Sequence, residues 1–436
     1  MKPLQGFRDF FPEELALRNY LFDVWREVAR SYGFSEVDGP PLEPLELYTR
    51  KSGEEIVGQL YHFKDKGDRE VALRPEMTPT LARMIAARAT QLPKPIKWFS
   101  IPQVFRYERK QRGRLREHFQ LNMDIIGAPE VEADAELLAA VLDIQRALGL
   151  TEKDVVARVN DRRLVAYVLK RLEVPHEKIP AVYNAIDKFH KVPELTFRDL
   201  LSDAGVPPSR IEELERLCSK QISLVDWLKP GPKYPLPEPM VMKALADLEH
   251  YLELLQEAGL GGFVEVDFSI VRGLAYYTGI VFELYDRQGE LRAICGGGRY
   301  DNLIASLGGP DLPALGFGMG DVVQSELLKD RGLVPELEPR IAVAVIPVGH
   351  ERSEREAAHS IVRRLREAGI PAETPFSPAG VGKDLRAADQ AGALYAVIVG
   401  PDEWAAGDVK LKDLRSGKEE RLSAQRIVEA VRQSGE

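Results

Sequence analysis

The feature that most constrains the fold of this chain is the segment 118–125, in which polar and apolar side chains alternate strictly. A period of two residues is typical of a β-strand whose two faces have different surroundings. The segment therefore predicts a sheet with one face on a core and one wholly polar face, which suits either solvent or a ligand. The apolar positions are Phe119, Leu121, Met123 and Ile125, and the polar positions are His118, Gln120, Asn122 and Asp124.

A second strand is predicted over residues 96–107, and a basic loop joins the two strands. Six of the eleven positions from Arg106 to Arg116 are Arg or Lys. Two neighbouring strands with such a connection predict a long antiparallel hairpin. A charge run is common on a solvated face and also suits a phosphate-binding loop, so the run alone does not decide between them.

Helices are predicted on both sides of this hairpin. Residues 13–32 carry apolar side chains at helical spacing, and Gly33 suits the end of that helix. Another helix is predicted to begin at Thr78-Pro79, with Thr78 as the cap and Pro79 in the first turn. The pattern of residues 129–150 is also helical.

A long helical stretch separates these elements from further strands. Residues 160–258 are mostly helical, but five prolines between Pro230 and Pro239 predict an irregular connector. Strands return at 264–270 and 280–285. The sheet is therefore predicted to be interrupted in sequence by a helical insertion.

A change of rhythm near residue 335 predicts a domain boundary. Beyond it, buried strands at 341–345 and 394–399 alternate with helices at 354–368 and 384–390, as in a small α/β domain. The predicted fold class is α+β, an antiparallel sheet flanked by helices. Its predicted parts are the sheet domain in two pieces, 1–159 and 241–334, a mainly helical insertion at 160–240, and a C-terminal α/β domain at 335–436.

Composition narrows the setting. The two cysteines, Cys218 and Cys295, are far apart and form no CxxC pair, which argues against a disulfide framework or a structural zinc site. The formal net charge of -9 means that any contact with nucleic acid is local. No signal-like segment follows Met1, and no run of about 18 apolar residues occurs. We expect a cytoplasmic protein with no membrane partner.

Two common nucleotide-binding motifs are absent. Gly382-Lys383 is followed by Asp384, and Ser377 stands where a P-loop requires its first glycine. The glycines of 296–298 and 316–320 lack the spacing of a dinucleotide fingerprint.

Four ordered motifs instead resemble the class II aminoacyl-tRNA synthetases, and within them the histidyl-tRNA synthetase family. FRYERKQRGRLREHFQ at 105–120 resembles motif 2, LRPEMT at 73–78 the substrate loop, VRGLAYYTG at 271–279 the first histidine signature, and GGRYD at 297–301 the second. The resemblance begins with GFRD at 6–9, and residues 335–436 resemble the anticodon-binding domain of the family. It covers nearly the whole chain and implies a homodimer.

The resemblance implies that L-histidine is activated with ATP and Mg²⁺ and then transferred to tRNA(His). Activation brings anions together, so fixed cations must screen the phosphates. By resemblance, Arg106 at the strand end binds the α-phosphate and the substrate carboxylate, and Arg272 acts as the second catalytic guanidinium opposite it. The other ATP contacts that the resemblance implies are Glu108, Arg114 and His118.

Histidine needs hydrogen-bond partners for its ammonium and imidazole groups, because a buried unpaired nitrogen is costly. The resemblance assigns the ammonium to Glu76 and Thr78. The other implied histidine contacts are Gln120, Asp124, Tyr276, Tyr277 and Tyr300. The loop of motif 2 would meet the acceptor end of the RNA through Arg109, Lys110, Gln111, Arg112 and Arg116. We expect no metal site built from protein side chains alone.

Three departures from the family pattern keep a second interpretation open. Val322-Val323 replaces the Glu-Arg pair of motif 3, so an expected ATP-binding arginine is missing. His118 precedes Phe119 in the reverse of the usual order, and Ala275 replaces an aspartate. The alternative is a histidine-binding regulatory subunit of ATP phosphoribosyltransferase. The presence of Arg106 and Arg272 favours the enzyme. The C-terminal domain favours it too, because such regulators generally lack that domain.

Overall fold

The alternating segment forms a central strand of a large sheet. The computed structural model describes residues 2–52, 54–107, 112–228, 238–271, 277–289, 291–306, 308–335, 341–349 and 351–434. The chain divides into two compact units, Met1–Pro335 and Glu336–Glu436. Among the described residues, no helix combines the length and the apolar character needed to cross a membrane.

Strands of the first unit form two sheets. They are β1 (Ser35–Glu36), β2 (Leu42–Pro44), β3 (His62–Lys64), β4 (Glu70–Leu73), β5 (Ile96–Ser100), β6 (Gln103–Phe105), β7 (Glu117–Ile126), β8 (Val155–Asp161), β9 (Val264–Val266), β10 (Ile280–Asp286), β11 (Cys295–Arg299) and β12 (Ala314–Gly320). Within the described ranges, nine strands form the large sheet in the order β1-β5-β7-β12-β11-β10-β8-β9, with β6 also paired to β7. Its pairs are antiparallel except β1 with β5 and β8 with β9. The predicted sheet type is confirmed.

Helices of the first unit flank this sheet. They are α1 (Pro12–Ser31), α2 (Glu46–Ser52), α3 (Thr78–Arg88), α4 (Val131–Ala147), α5 (Arg162–Arg171), α6 (Ile179–Ile186), α7 (Glu194–Asp203), α8 (Pro208–Cys218), α9 (Leu224–Leu228), α10 (Pro239–Glu257), α11 (Leu303–Ser306) and α12 (Asp321–Asp330). Leu121 and Met123 of β7 are fully buried in one core with Trp25 of α1 and Leu138 of α4. The alternation of β7 thus records which face lies on the core.

The helical stretch α5–α10 contributes to the same core as the sheet. Leu164, Phe197, Leu214 and Tyr251, from four of its helices, are all buried in that cluster. The predicted connector at 230–239 lies outside the described residues up to 237, and Pro239 begins α10. Helix α10 also packs directly on α4.

Several predicted boundaries differ from the structure. Helix α3 begins at Thr78, but its cap is Met77 and no side chain caps it, so the prediction that Thr78 caps the helix was wrong. The strand predicted at 96–107 is split into β5 and β6 near Pro102, which has no N–H to donate to a ladder. The strand predicted at 264–270 ends at Val266, because the Asp267 carboxylate accepts hydrogen bonds from the backbone and hydroxyl of Ser269 and closes a turn.

The strands that were not predicted include β11 and β12, and both are rich in glycine. The sequence indicated motifs there but no strands, because glycine weakens strand propensity. In the structure β12 pairs with β7, with Gly316 opposite Asp124 and Gly318 opposite Asn122. The glycines leave space on the polar face of the sheet.

The second unit has its own sheet and core. Its strands are β13 (Val343–Pro347), β14 (Ala372–Glu373), β15 (Tyr395–Val399), β16 (Asp408–Asp413) and β17 (Glu419–Ser423), and its helices are α13 (Arg352–Glu367), α14 (Val381–Gln390), α15 (Pro401–Ala405) and α16 (Ile427–Ser434). The strand order is β14-β13-β15-β16-β17, parallel over the first three and antiparallel after them. The α/β character is confirmed, whereas the β16–β17 hairpin was not predicted.

Candidate active site

The polar face of β7 is the floor of a large cavity of about 800 Å³. All four of its predicted polar side chains line this cavity, together with glycines of β11 and β12. The cavity also contains residues that follow β4 and β6. The sequence-predicted site residues that line it are Glu76, Thr78, Arg106, Arg112, Arg114, His118, Gln120, Asp124, Tyr277 and Tyr300.

Of the seven other predicted site residues, the structure describes one, and it is not part of this lining. Arg116 lies outside it, with its guanidinium carbon 4.3 Å from the centre of the Tyr107 ring. The others fall outside the described residues: Glu108, Arg109, Lys110, Gln111, Arg272 and Tyr276.

A buried polar pair occupies one part of the cavity. The Tyr300 hydroxyl donates a hydrogen bond to Oδ1 of Asp124, and each residue is only 4% exposed. The Tyr277 ring lies edge-on to Tyr300, with centroids 6.5 Å apart. This group offers a carboxylate and two phenol rings in a largely water-free setting, which suits a ligand with paired donors and acceptors.

Glycines of β12 make room for these side chains. A Cβ on Gly316 would overlap the Asp124 carboxylate and lie 2.8 Å from the Tyr300 hydroxyl. A Cβ on Gly318 would overlap the Gln120 amide. Any larger residue would therefore displace groups that line the cavity, which explains glycine in the interior of a strand.

Arg106 is fixed at the end of β6. Its Nε donates to the carbonyl oxygen of Pro75 at 3.0 Å, and its backbone N–H donates to the carbonyl of Arg116 at 2.9 Å. The bond to the Pro75 carbonyl ties Arg106 to the loop that carries Glu76. A positioned guanidinium beside an acidic loop can bind a phosphate and a carboxylate at once.

Arg74 also anchors the loop that carries Glu76, and it was not predicted as a functional residue. It is 4% exposed, and its Nη1 donates to Oδ1 of Asp38 at 2.8 Å and to the carbonyl of Gly39 at 2.7 Å. Its Nε donates to the carbonyl of Gln103 at 2.9 Å. A buried arginine with all these acceptors is a positioning group for Glu76 and Thr78.

The start of α12 is anchored to β7 through charged side chains. Arg8 donates to Glu117 at 2.8 Å and to Asp321 at 3.0 Å, and the Asp321 carboxylate accepts the Phe119 N–H at 2.9 Å. Burial raises the pKa of the Asp321 carboxyl above its ordinary value, although the Arg8 guanidinium acts against that shift. This cluster fixes the position of Val322 and Val323.

The order of His118 and Phe119 has a clear structural consequence. Phe119 packs edge-on against Phe22 of α1, with centroids 5.2 Å apart, whereas His118 lines the cavity. The imidazole therefore occupies the polar face where the family pattern has a phenylalanine.

Other lining residues had not been predicted. Arg158 and Glu283 are register partners in β8 and β10, and both side chains line the cavity with Tyr285. His190 comes from a short 3-10 helix and Arg292 from a loop far away in sequence. Only the period-two pattern of β10, with Glu283 between apolar residues, could have indicated any of them.

Asp267 lies behind this part of the cavity and is fully buried. Its Oδ2 lies 3.4 Å from Lys220 Nζ and 3.7 Å from both Arg158 Nε and His190 Nε2. Burial acts to raise the pKa of Asp267, but the nearby His190 imidazole, the hydrogen bonds from Ser269 and the charge of Lys220 outweigh it and hold the pKa well below its ordinary value. The ionised carboxylate links the helical stretch to β8.

Comparison with known proteins agrees with these motifs. The family model described as Histidyl-tRNA synthetase matches residues 6–320, most of the chain. The chain belongs to the histidyl-tRNA synthetase family. A second family model, described as Anticodon binding domain, matches residues 342–434.

Relatives in the histidyl-tRNA synthetase family match over most of their length. The protein named histidine–tRNA ligase from Opitutus terrae is 45% identical over 431 residues, covering 98% of this chain and 97% of that protein. The chloroplastic/mitochondrial histidine–tRNA ligase of Arabidopsis thaliana is 42% identical and covers 96% and 84%. The crystal structure of histidyl-tRNA synthetase from Nostoc sp. PCC 7120 has a TM-score of 0.84 at 27% identity, covering 100% of this chain and 99% of that one.

Proposed function

We propose that this chain is a histidine–tRNA ligase, which activates L-histidine with ATP and transfers the histidyl group to tRNA(His). The observation that carries the proposal is the polar face of β7, where Asp124 and Gln120 line a cavity that Arg106 also enters. The membership in the histidyl-tRNA synthetase family and the full-length match to relatives of that name support it.

Histidine recognition is assigned to the buried polar pair and its neighbours. Asp124 and the hydroxyls of Tyr277 and Tyr300 would hold the neutral imidazole, with Gln120 beside it. Glu76 and Thr78 would accept the α-ammonium, and Tyr276 is assigned to the same pocket from the sequence. A pocket that hydrogen-bonds its ligand rejects analogues without those groups, because its own buried groups would be left unpaired.

Activation is assigned to arginines. The histidine carboxylate is already ionised, so its oxygen attacks the α-phosphorus of ATP without a general base, and the bond to pyrophosphate breaks. Arg106 and Arg272 would stabilise the charge that develops at the α-phosphate. Arg114 would contact the outer phosphates, with Glu108 and His118 near adenine.

Mg²⁺ would enter as the counter-ion of ATP, which is how this ion usually reaches phosphoryl-transfer sites, with one or two protein carboxylates as further ligands. Glu283 lines the cavity and offers such a carboxylate. The role of this chain is then to align MgATP against histidine and exclude water from the product.

RNA binding is assigned to two regions. The acceptor end would meet the motif 2 loop through Arg109, Lys110 and Gln111, with Arg112 and Arg116 at its edge. Arg112 is paired with Asp330 at 2.8 Å, so it would have to exchange that partner for a phosphate. The matched anticodon-binding domain would contact the other end of the tRNA. We also propose a homodimer that acts in the cytoplasm.

The experiment that tests the function is histidine-dependent exchange of labelled pyrophosphate into ATP, run beside charging of tRNA(His). We expect both activities, with histidine alone among the amino acids supporting exchange. The replacement at Val322-Val323 is the reason for testing the alternative of a regulatory subunit of ATP phosphoribosyltransferase. Histidine binding without exchange or charging would support that alternative instead.

A further inference from the structure

We propose that Arg292 binds the outer phosphates of ATP in place of the arginine that the family pattern has at position 323. The inference rests on the proposed function, because it requires ATP in this cavity. Arg292 lies in the loop between β10 and β11, and its side chain lines the same cavity as Arg106 and Arg114.

Position 323 cannot supply a cation in this chain. Val323 is only 6% exposed and belongs to the main apolar core. Its Cγ2 lies 3.3 Å from where a Cβ on Gly113 would be. Gly113 therefore lies close to Val323, and its φ of +71° is a backbone conformation that favours glycine.

Arg292 lies near the same glycine. Its Cγ and Cδ each lie 3.6 Å from the position of a Cβ on Gly113. The aliphatic part of Arg292 and the side chain of Val323 thus converge on one residue of the motif 2 loop. The Arg292 side chain therefore lies close to position 323, where the family pattern has an arginine. Arg292 is exposed and lines the cavity.

Three other cavity arginines also contact protein groups. Arg106 donates to the Pro75 carbonyl, and Arg112 is paired with Asp330. Arg158 lies 4.9 Å from the Tyr285 ring centre and 3.7 Å from Asp267. Arg114 follows Gly113 directly, so Arg114 and Arg292 border the same part of the cavity. Two guanidinium groups can chelate a polyphosphate from two sides.

The test compares R292Q, R292K and the control R88Q, which removes an exposed arginine outside the cavity. In pyrophosphate exchange, R292Q should raise the KM for ATP at least tenfold and leave the KM for histidine within twofold. R292K keeps a cation, so its KM for ATP should rise only about threefold. The KM values of R88Q should match those of the wild type. An unchanged KM for ATP in active R292Q would overturn the proposal.

A second readout separates phosphate contact from a change in pocket shape. AMP lacks the outer phosphates, so calorimetric binding of AMP should be equal in R292Q and the wild type, while ATP binding weakens at least tenfold. Equal weakening of AMP and ATP would reject the assigned contact. Wild-type protein that binds ATP but shows no histidine-dependent exchange would instead remove the proposed function, while the binding comparison still tests Arg292.

Discussion

The Tyr300 hydroxyl donates a hydrogen bond to the Asp124 carboxylate at a point where the facing strand has Gly316 and no side chain. Both partners are nearly inaccessible to solvent. A buried carboxylate with a fixed phenol donor is costly unless its remaining acceptor capacity is used. In the proposed function, the imidazole of histidine uses it.

Replacing Tyr300 with phenylalanine should weaken histidine binding by about 10- to 100-fold, which corresponds to roughly 1–3 kcal/mol for the loss of one hydrogen bond to a buried carboxylate. The KM values for histidine and ATP in pyrophosphate exchange measure this, and ATP should change little. Y20F on α1 is the matched control. Equal increases in both KM values would indicate a general disturbance of the cavity rather than lost histidine contact.

G316A should abolish histidine binding at concentrations that saturate the wild type, because the added methyl group overlaps the Asp124 carboxylate. The side chain of Asp124 must then rotate away from Tyr300. G382A is the control, since nothing lies within 4 Å of a Cβ at Gly382. Calorimetric titration with histidine, together with circular dichroism to verify folding, checks the prediction. Normal histidine affinity in folded G316A would contradict the assigned pocket.

R272Q should reduce the rate of adenylate formation by a factor of about 100 or more and change the Kd for histidine little, since the arginine is assigned to charge that develops during the reaction. Arg272 lies outside the described residues, so this prediction rests on its motif. Rapid-quench measurement of adenylate formation and calorimetric histidine binding test it. Loss of rate and affinity in equal proportion would reject the role.

D267N should destabilise the protein at pH 7 by about 3 kcal/mol, because the positive groups around a buried carboxylate lose their partner. The folded-state pKa of Asp267 is depressed, so its stabilisation is present above the unfolded-state pKa of about 4 and is lost as pH falls below that value. The difference in urea midpoint between wild type and D267N should therefore narrow below about pH 4.

The control for this pH series is D23N, which removes an exposed partner of Arg26 and should cost less than about 1 kcal/mol at any pH. Urea unfolding of all three proteins at pH 7, 5 and 3.5 is sufficient. A deficit in D267N that stays constant down to pH 3.5 would mean that Asp267 is not held ionised by its neighbours.

Sequence reasoning found those parts of the fold and site that depend on local pattern. The alternation in β7 gave the core face and the cavity face without knowledge of any neighbour, since side chains of a strand project alternately. The same parity predicted that His118, not Phe119, lies beside Gln120, as the structure has it. The position of Arg106 could also be predicted from the sequence, because it depends on where the hairpin strand ends.

Tertiary structure alone decided what lies opposite these residues. Gly316 and Gly318 lack strand propensity, and their role appears only when β12 pairs with β7 at a register that puts them beside Asp124 and Gln120. Asp267 lies near Lys220 and His190 because segments that are distant in sequence pack together. Periodicity in a sequence reports which face is buried, whereas contacts across the fold depend on register and packing between segments that share no local pattern.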